Sequence, residues 1–265
     1  MRKKEFFQLY EPWLRFIDYI KGKNRFIMSK EIEQFLQKIL ETTDKRKVIL
    51  KKKRIFFRAR IGAYWPSRPF WPDKWSSLYP HPLPCSKMGP PPRDISKGGR
   101  VNPEGISYLY LSSSKKTAIS EVRPWIKEFV TVGVFELNRD QKIVDATKEL
   151  RGSSQKKKIA HYLEYNDYLT WKNINYEFSK PVSTTDNKLE YLPTQYLAEL
   201  FKNAGYDGVK YNSSVSRTGY NLVLFNPKVA KCTKCQLFSI KEIVYKFGST
   251  GRVETREEMQ MRRFY

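Results

Sequence analysis

The sequence predicts an α+β protein in which a small helical N-terminal segment, residues 1–53, precedes a mixed domain at residues 54–265. Apolar residues in the first segment recur every three or four positions, as on the buried face of a helix. From Ile55 onward, short β-branched and aromatic runs alternate with helical patterns and turns. A basic stretch at residues 44–54 separates the two patterns and marks the predicted boundary.

The clearest helix of the first segment follows Ser29, a residue type whose side-chain oxygen often caps the first helical turn. The residues after it repeat at the spacing that places apolar side chains on one helical face. We therefore predict an amphipathic helix whose apolar stripe could serve a homo-oligomer or a partner protein. The stripe consists of Ile32, Phe35, Leu36, Ile39 and Leu40.

Proline and glycine delimit the elements of the mixed domain. Nine prolines between residues 64 and 93 predict an extended, irregular segment, because proline fixes φ and lacks an N–H. Pro124 should end a helix that begins near Ser114, and Gly205 stands where a left-handed residue would end another. The predicted helices are 114–123, 155–171 and 194–204, and the predicted strands are 107–111, 130–137, 209–211 and 221–225.

The composition is that of a strongly basic globular protein and excludes several classes. Fifty Lys and Arg against 27 Asp and Glu give a net charge of +23, and the 40% hydrophobic content excludes a disordered basic tail. No apolar run approaches the ~18 residues of a membrane helix, and polar residues interrupt any signal-peptide core. Three cysteines are too few for a disulfide framework, so we expect a cytoplasmic protein that does not bind membranes.

Basic clusters at residues 45–47, 51–54 and 156–158 suggest a polyanionic partner. Such clusters attract nucleic acid, because each phosphate contact releases counterions. Runs of charge are more often a solvated protein face, and the chain carries no helix-turn-helix, zinc-finger or aromatic RNA-binding signature. Nucleic-acid binding therefore stays an alternative that charge alone does not decide.

Motifs of several common enzyme classes are absent from the sequence. The two histidines, His81 and His161, do not form HExxH, and there is no GxxxxGK[ST] or GxGxxG phosphate cradle. Cys232 and Cys235 form one CxxC, which would need two further ligands, such as His81 and Cys85, to hold zinc. Two small apolar thiols near a strand end are the commoner arrangement, so we predict no metal site.

Polar residues are concentrated in three patches that could carry chemistry. In the first, FFRARIG places Arg58 and Arg60 on one face of a strand, where two guanidinium groups could bind phosphate or simply face solvent. In the second, a loop rich in glycine at residues 98–105 should expose Arg100 and Asn102.

The second patch continues into a helix that carries Glu121 on the same face as Thr117 and Ala118. A carboxylate in such small, apolar company is either a half-buried functional group or an ion-pair partner for Arg123. The third patch is the polar turn at residues 211–221, which in isolation is typical of a hairpin loop.

Taken together and in this order, the three patches resemble the RES domain family, named for its Arg, Glu and Ser. The resemblance covers about two-thirds of the chain and rests on FFRARIG, MGPPPRDISKGGRVNPEGISYLYLSSSKKTAISEVRP, YLPTQYLAELFKNAGYDGVKYNSS and GYNLVLFNP. It implies a fold related to ADP-ribosyltransferases, a curved, split β-structure with helices around a cleft. The N-terminal helical segment is similar to extensions that precede some RES domains.

The resemblance also implies an activity. Characterised RES proteins are toxins that deplete NAD+ by phosphorolysis or hydrolysis of the nicotinamide–ribose bond, and helix-turn-helix antitoxins usually neutralise them. We therefore expect an NAD+ phosphorylase or NAD+ glycohydrolase acting as a toxin or defence effector, with NAD+ as substrate, inorganic phosphate as the co-substrate of phosphorolysis, and no cofactor. The alternatives are ADP-ribose transfer to a macromolecule and nucleic-acid binding by a protein with an inactive cleft.

The residue types that the resemblance brings together fit this chemistry. Guanidinium groups can bind the pyrophosphate of NAD+ through paired N–H donors, and a carboxylate can stabilise an oxocarbenium-like ribose. We expect the serine to orient substrate or phosphate and not to act as a nucleophile, because no histidine is near to activate it. The resemblance implies catalytic roles for Glu121, Arg58 and either Ser213 or Ser214, and substrate-binding roles for Arg60, Arg100, Asn102 and Tyr110.

Overall fold

The computed structural model describes residues 3–66, 79–148, 158–180, 188–216, 218–244 and 248. Within these ranges the helices are α1 (Lys3–Gly22), α2 (Lys30–Thr43), α3 (Lys115–Glu121), α4 (Lys158–Ser179) and α5 (Leu192–Asn203). The strands are β1 (Lys47–Leu50), β2 (Ile55–Ile61), β3 (Leu109–Ser112), β4 (Phe129–Leu137), β5 (Gln141–Asp145), β6 (Gly208–Asn212), β7 (Tyr220–Leu224) and β8 (Ala230–Ser239).

The described strands form one mixed sheet in the order β1-β5-β6-β7-β3-β2-β4-β8. Only β5 and β6 run parallel among these pairs, and α4 and α5 lie in the connection between them, as a parallel crossover requires. An apolar cluster joins these two helices to residues of β5, β6 and β7. A second cluster contains Ile143 of β5 and Leu222 and Leu224 of β7, so the sheet is apolar on both faces, as expected for a central sheet.

The sheet nearly divides between β2 and β3, and we call this junction the β2–β3 seam. Seven residue pairs join β2 to β4 and four join β3 to β7, whereas β2 and β3 meet only at Phe57 and Ser112. The predicted class, an α+β fold with a split β-structure behind an N-terminal helical part, is therefore confirmed. The opening between the two strands leaves room for a cleft.

The N-terminal helices pack into the main core. Ser29 caps α2 as predicted, because its side chain accepts a hydrogen bond from the Ile32 amide at 3.4 Å. Trp13 and Phe16 of α1 share one apolar cluster with Trp171 of α4. The first 53 residues also supply β1, which pairs with β5 and was not predicted. The boundary after residue 53 stays a prediction.

Local signals place α3 and α5 where the sequence predicts them. Ser114 caps α3 by accepting from the Thr117 amide at 3.1 Å, and the helix ends at Glu121, before Pro124. Gly205 follows α5 with a φ of +78°, the left-handed conformation predicted for it. The predicted helix 155–171 corresponds to α4, although its first three residues, which include most of the basic cluster 156–158, lie outside the described residues.

The proline-rich stretch is irregular where the structure describes it. Short 3₁₀ turns occur at Cys85–Lys87 and Arg93–Ile95, whereas residues 67–78 of the stretch lie outside the described part. None of the described helices combines the length and the apolar character that crossing a membrane would take.

Candidate active site

Two adjoining cavities open beside the β2–β3 seam, and together they form the cleft. The larger has a volume of about 270 Å³ and the smaller about 170 Å³. Glu121, Tyr211 and Asn221 line both cavities, so these three side chains lie where the cavities meet. Together the two volumes reach the range of roughly 300–1,000 Å³ that is typical of small-molecule sites.

Glu121 is held in a defined orientation at this meeting point. It is the last residue of α3, and its Oε1 accepts hydrogen bonds from Ser213 Oγ at 2.7 Å and from Asn221 Nδ2 at 2.6 Å. Within the described residues, Oε2 accepts no hydrogen bond. One carboxylate oxygen is thus fixed by two donors while the other is available to a ligand in the cleft.

The two neighbouring serines have different environments. Ser213 is buried, its amide donates to the Gly219 carbonyl at 3.1 Å, and its hydroxyl donates to Glu121. Ser214 is exposed and lines the larger cavity. Of the two serines, Ser213 is therefore the one that positions the Glu121 carboxylate, whereas Ser214 could contact a bound molecule directly.

Asn221 links Glu121 to the β2–β3 seam, and sequence reasoning did not select it. Its Oδ1 accepts a hydrogen bond from Ser112 Oγ at 2.8 Å, and its Nδ2 donates to Glu121. Ser112 is the residue of β3 that pairs with Phe57 across the seam. A chain of two hydrogen bonds, which begins buried at Ser112 and ends at the exposed Glu121, therefore connects the only β2–β3 pair among the described strands to the carboxylate.

Arg58 spans the seam beside the smaller cavity. Its Nη1 donates to the Tyr110 carbonyl oxygen at 3.2 Å, in a region where a continuous sheet would have a backbone donor. Its Nε is buried and has no hydrogen-bond partner among the described residues. Burial, assisted by the neighbouring charge of Arg60, lowers the pKa of the Arg58 guanidinium to about 10. A buried cation with an unused donor favours an anionic ligand.

Arg60 lines neither of the two described cavities, unlike Arg100. Arg60 Nη2 donates to the Gly89 carbonyl at 2.5 Å, and its buried Nε also lacks a partner among the described residues. Arg100 lines the larger cavity, where its Nη1 donates to the Glu177 carbonyl at 2.9 Å. Its guanidinium carbon also lies 5.1 Å from the centroid of the Tyr191 ring. These contacts fix the position of Arg100 before any ligand binds.

Asn102 is not exposed, so the expected exposure is wrong. Its side chain is 4% exposed and donates to the carbonyl oxygens of Lys97, Pro103 and Ile106 at 2.9–3.2 Å. Its Oδ1 accepts from the Tyr110 hydroxyl at 2.7 Å. Loop carbonyls that turn inward require a buried donor, which explains why a polar loop residue is inside. Asn102 does not line either of the two cavities.

Tyr110 lines the smaller cavity, but its hydroxyl is engaged elsewhere. The hydroxyl donates to Asn102 Oδ1 at 2.7 Å and accepts from the Val101 amide at 3.1 Å. Burial raises the pKa of this hydroxyl to about 12. A neutral, immobilised aromatic ring of this kind is suited to packing against a planar ligand group.

Comparison with known proteins identifies the family. The sequence model of the RES domain matches residues 86–241. The chain belongs to the RES domain family. A search of curated proteins gave no match. The chain is also similar to a solved structure, the MbcT–MbcA toxin–antitoxin complex of M. tuberculosis, with 13% sequence identity, a TM-score of 0.39, and coverage of 76% of this chain and 92% of that chain.

The RES match contains most of the predicted site. Glu121 and both candidate serines fall inside residues 86–241, together with Arg100, Asn102 and Tyr110. Arg58 and Arg60 precede the matched region, and the sheet pairing brings β2 to the cleft from outside it. The roles assigned to all these residues stay predictions.

Tyr211, Phe178 and two basic residues of the RES cleft were not predicted as site residues. Tyr211 lines both cavities and stacks on Phe178 with a centroid distance of 5.6 Å and an interplanar angle of 24°. Arg123 and Lys180 line the larger cavity. The polar turn beginning at Tyr211 did carry a signal, but Phe178 and Lys180 come from α4 and its end, where nothing in the local sequence indicates a cleft.

Proposed function

We propose that this RES protein degrades NAD+ by cleaving the nicotinamide–ribose bond and that it acts as the toxin or defence effector of a toxin–antitoxin pair. The observation that carries this proposal is the orientation of Glu121. Its Oε1 is held by Ser213 and Asn221 where the two cavities meet, and its Oε2 is left available. A single oriented carboxylate in a basic cleft suits the cleavage of a glycosidic bond in an anionic substrate.

Basic side chains around the carboxylate favour a pyrophosphate-containing substrate. Arg100, Arg123 and Lys180 line the larger cavity, and Arg58 lines the smaller one. Guanidinium groups bind phosphate oxygens through pairs of N–H donors, and the unused Nε of Arg58 is one such donor. The aromatic side chains of Tyr110 and Tyr211 lie at the same cavities and can pack against the nicotinamide or adenine ring.

The reaction needs little from the protein beyond positioning and negative charge. When the bond between nicotinamide nitrogen and ribose C1″ breaks, the electron pair leaves with nicotinamide, which departs as a neutral molecule without a general acid. Positive charge then develops on the ribose ring, where Oε2 of Glu121 can stabilise it. An oxygen of water or of inorganic phosphate forms the new bond to C1″. The products besides nicotinamide are ADP-ribose and a proton, or ADP-ribose 1″-phosphate.

Ser213 acts as a positioning residue in this mechanism. Its hydroxyl donates to Oε1 of Glu121, the carboxylate that this mechanism uses to stabilise the ribose, and no histidine that could activate the serine lines either cavity within the described residues. Ser214 is placed to contact the substrate or the attacking phosphate. The proposal therefore assigns the two adjacent serines different roles.

The partner we propose is an antitoxin protein of the helix-turn-helix type, on the basis of the resemblance to RES toxins. An enzyme that removes NAD+ from its own cell must be inhibited until it is needed. Expression of the wild-type chain alone should arrest growth, whereas a Glu121→Gln variant should not. Normal growth with active wild-type enzyme would contradict a toxin function while leaving the enzymatic proposal intact.

The decisive experiment is the rate of NAD+ loss catalysed by purified protein, with and without inorganic phosphate. Glu121→Gln should lower the rate by at least about 100-fold, because it removes the charge that stabilises the transition state. Glu104→Gln is a matched control, since Glu104 is exposed and does not line the described cavities.

Product analysis then identifies the acceptor. ADP-ribose 1″-phosphate formed only with phosphate identifies a phosphorylase, and ADP-ribose formed under both conditions identifies a glycohydrolase. Label transferred to a macromolecule would identify a transferase. A folded Glu121→Gln variant with wild-type turnover would refute the proposed role of the carboxylate.

A further inference from the structure

All three cysteines of the chain meet at the edge of the sheet, away from the cleft. Cys85 lies in the 3₁₀ turn Cys85–Lys87, and Cys232 and Cys235 lie in the edge strand β8. The Cys85 and Cys235 sulfurs are 3.3 Å apart, and the Cys232 and Cys235 sulfurs are 3.7 Å apart. All three sulfurs lie within 4.8 Å of one another, although Cys85 is 150 residues from Cys235 in sequence.

The sulfur spacing resembles that of a metal-bound thiolate set. With Zn–S bonds of about 2.3 Å and tetrahedral angles, two sulfurs of one zinc site are ~3.8 Å apart. The described separations of 3.3 and 3.7 Å are close to this value. A disulfide would instead require about 2.05 Å between two sulfurs and would leave the third thiol unused.

A β-bulge brings Cys232 and Cys235 to the same side of β8. Residues three apart in a regular strand point to opposite faces, because side chains alternate with a period of two. Val134 of β4 pairs with Lys234 and Phe135 pairs with Cys232, which leaves Thr233 as an extra residue in β8. One extra residue restores the same orientation for the two cysteines. The bulge thus assembles a pair of ligands that sequence spacing alone would separate.

The opposite strand makes room for the sulfurs. Gly133 of β4 pairs with Cys235, and a Cβ added to this glycine would lie 3.1 Å from Cys232 Sγ. Any other residue would crowd the sulfur at this position. The bulge and the glycine are two separate features of the sheet edge that favour the same cluster.

The cluster is also electrostatically suited to a cation. Three thiolates whose sulfurs lie within 4.8 Å of one another would repel one another. A divalent ion removes that repulsion, and a thiol that coordinates a metal is deprotonated. The exposed Lys87, Lys231 and Lys234 adjoin the cysteines in sequence and would offset the remaining negative charge.

We propose that Cys85, Cys232 and Cys235 bind one thiophilic divalent ion, which we take to be zinc, as three thiolate ligands with solvent as the fourth ligand. Zinc binding would replace the three thiol protons, which pass to solvent, and involves no redox change. This proposal departs from the sequence-based expectation of apolar thiols without a metal. It is independent of the proposed NAD+ chemistry, because no cysteine lines the two described cavities.

A metal ion bound by the three cysteines would cross-link β8 to the segment that contains Cys85. Four residues after Cys85, the Gly89 carbonyl accepts the hydrogen bond from Arg60 Nη2. Fixing Cys85 to the sheet edge therefore fixes a carbonyl that orients a guanidinium group near the cleft. The metal would have a structural role, because it would join two segments distant in sequence and would lie away from the cleft, although most structural zinc sites have a fourth protein ligand in place of solvent.

Zinc binding can be measured directly on the full-length protein. The protein is prepared with a phosphine reductant and without chelators, its metal content is determined by mass spectrometry, and zinc affinity is measured by competition with a chromophoric chelator. We expect one zinc per chain and, after exchange into cobalt, a thiolate-to-cobalt charge-transfer band. The single variants Cys85→Ser and Cys232→Ser should each weaken zinc binding by at least about 100-fold, more than typical losses at outer-shell partners.

Lys231→Ala is the matched control, because Lys231 is an exposed neighbour of Cys232 and should retain full affinity. Wild-type zinc affinity no tighter than that of the triple serine variant would overturn the proposal. A non-reduced protein that lacks two hydrogens by mass and binds no zinc would overturn it as well, in favour of a disulfide. The wild-type stoichiometry decides the matter even if a serine variant fails to fold.

Discussion

The adjacent residues Ser213 and Ser214 provide the sharpest test of how the cleft works. Replacing Ser213 by alanine removes one of the two donors to Glu121 Oε1, whereas replacing Ser214 removes an exposed hydroxyl that bonds no described residue. The two substitutions change the same atoms at neighbouring positions, so a difference between them reports only on environment. We expect Ser213→Ala to impair NAD+ turnover and Ser214→Ala to have a much smaller effect.

The size of the expected effect follows from the hydrogen bond that is lost. Ser213 Oγ lies 2.7 Å from Glu121 Oε1, a distance typical of a hydroxyl that donates to an ionised carboxylate. Hydrogen bonds to charged groups contribute about 1.5–3 kcal/mol, which corresponds to roughly 10- to 150-fold in rate at about 1.4 kcal/mol per tenfold. Ser214 does not bond Glu121, so Ser214→Ala should leave kcat near the wild-type value, and the loss of a neutral hydrogen bond to substrate, about 0.5–1.5 kcal/mol, should appear as a rise in KM of roughly 2- to 12-fold.

Steady-state kinetics of NAD+ loss can separate positioning from binding. Because Ser213 acts on the substrate only through Glu121, its loss should lower kcat with little change in KM. Ser213→Thr keeps the hydroxyl and should recover part of kcat, which a purely steric role of Ser213 would not allow. Thermal unfolding of each variant confirms that the protein is folded. Equal effects of Ser213→Ala and Ser214→Ala, or a normal kcat for folded Ser213→Ala, would refute this reasoning.

Two further predictions concern the loops that support the cleft. Asn102→Ala removes the only described donor to the Lys97 carbonyl and the acceptor of the Tyr110 hydroxyl, whereas the Pro103 and Ile106 carbonyls keep the Ile106 amide and the Ser96 hydroxyl as donors. Urea unfolding should therefore show a loss of about 1–3 kcal/mol. Unchanged stability with a raised KM would instead support the substrate-binding role predicted from sequence. Gly219→Ala would place a Cβ 2.0 Å from Thr117 Oγ1, so it should destabilise the protein by about 1–3 kcal/mol and lower Tm by several degrees. Gly89→Ala is the control, because a Cβ at Gly89 would meet nothing within 4 Å and should leave Tm unchanged. Equal Tm values for the two variants would contradict the close packing of the Gly219 turn on α3.

Elements with a local signal were predictable from the sequence. Ser29 and Ser114 cap their helices through the side-chain oxygens that the sequence offers, and Gly205 adopts the left-handed φ that ends α5. Each of these outcomes depends on residues within one or two turns. Strand β7 was also predictable, because Leu222, Val223 and Leu224 form a continuous apolar run that is buried on both faces of a central sheet.

Strands at the edges of the sheet were not predictable by the same reasoning. The chain enters β1 inside a run of basic residues, and the edge strand β8 is largely polar and exposed, with a bulge that interrupts its alternation. Edge strands are held by one neighbour only, so their sequences are constrained less by burial. The bulge that places Cys232 and Cys235 on the same side of β8 likewise depends on the pairing of β8 with β4, so the local sequence does not predict it.

Some residues of the candidate site were predictable from sequence motifs, whereas others depend on how the strands pair. Glu121 and the serine pair were selected through the family resemblance, but Asn221 was not, because its role depends on the register that places it opposite Ser112. The expected exposure of Asn102 was wrong, since a local pattern cannot distinguish a polar loop residue at the surface from one that donates to buried carbonyls, and its substrate-binding role stays a prediction. Residue type identified the chemistry available, and long-range pairing decided which side chains meet.

The near-division of the sheet explains why the carboxylate, the arginine and the serine can meet at all. In a continuous sheet, backbone hydrogen bonds would join β2 to β3 along their length and leave no opening between the two strands for a ligand. Opening the seam leaves backbone groups on the β2 side of β3 without strand partners, and other groups must satisfy them because an unpaired buried polar group costs free energy. The Arg58 guanidinium does so at the Tyr110 carbonyl, and the Ser112–Asn221 hydrogen bond fixes the remaining contact point. The groups that stabilise the opening are therefore the same groups that surround the proposed substrate, so the seam and the site cannot be altered independently.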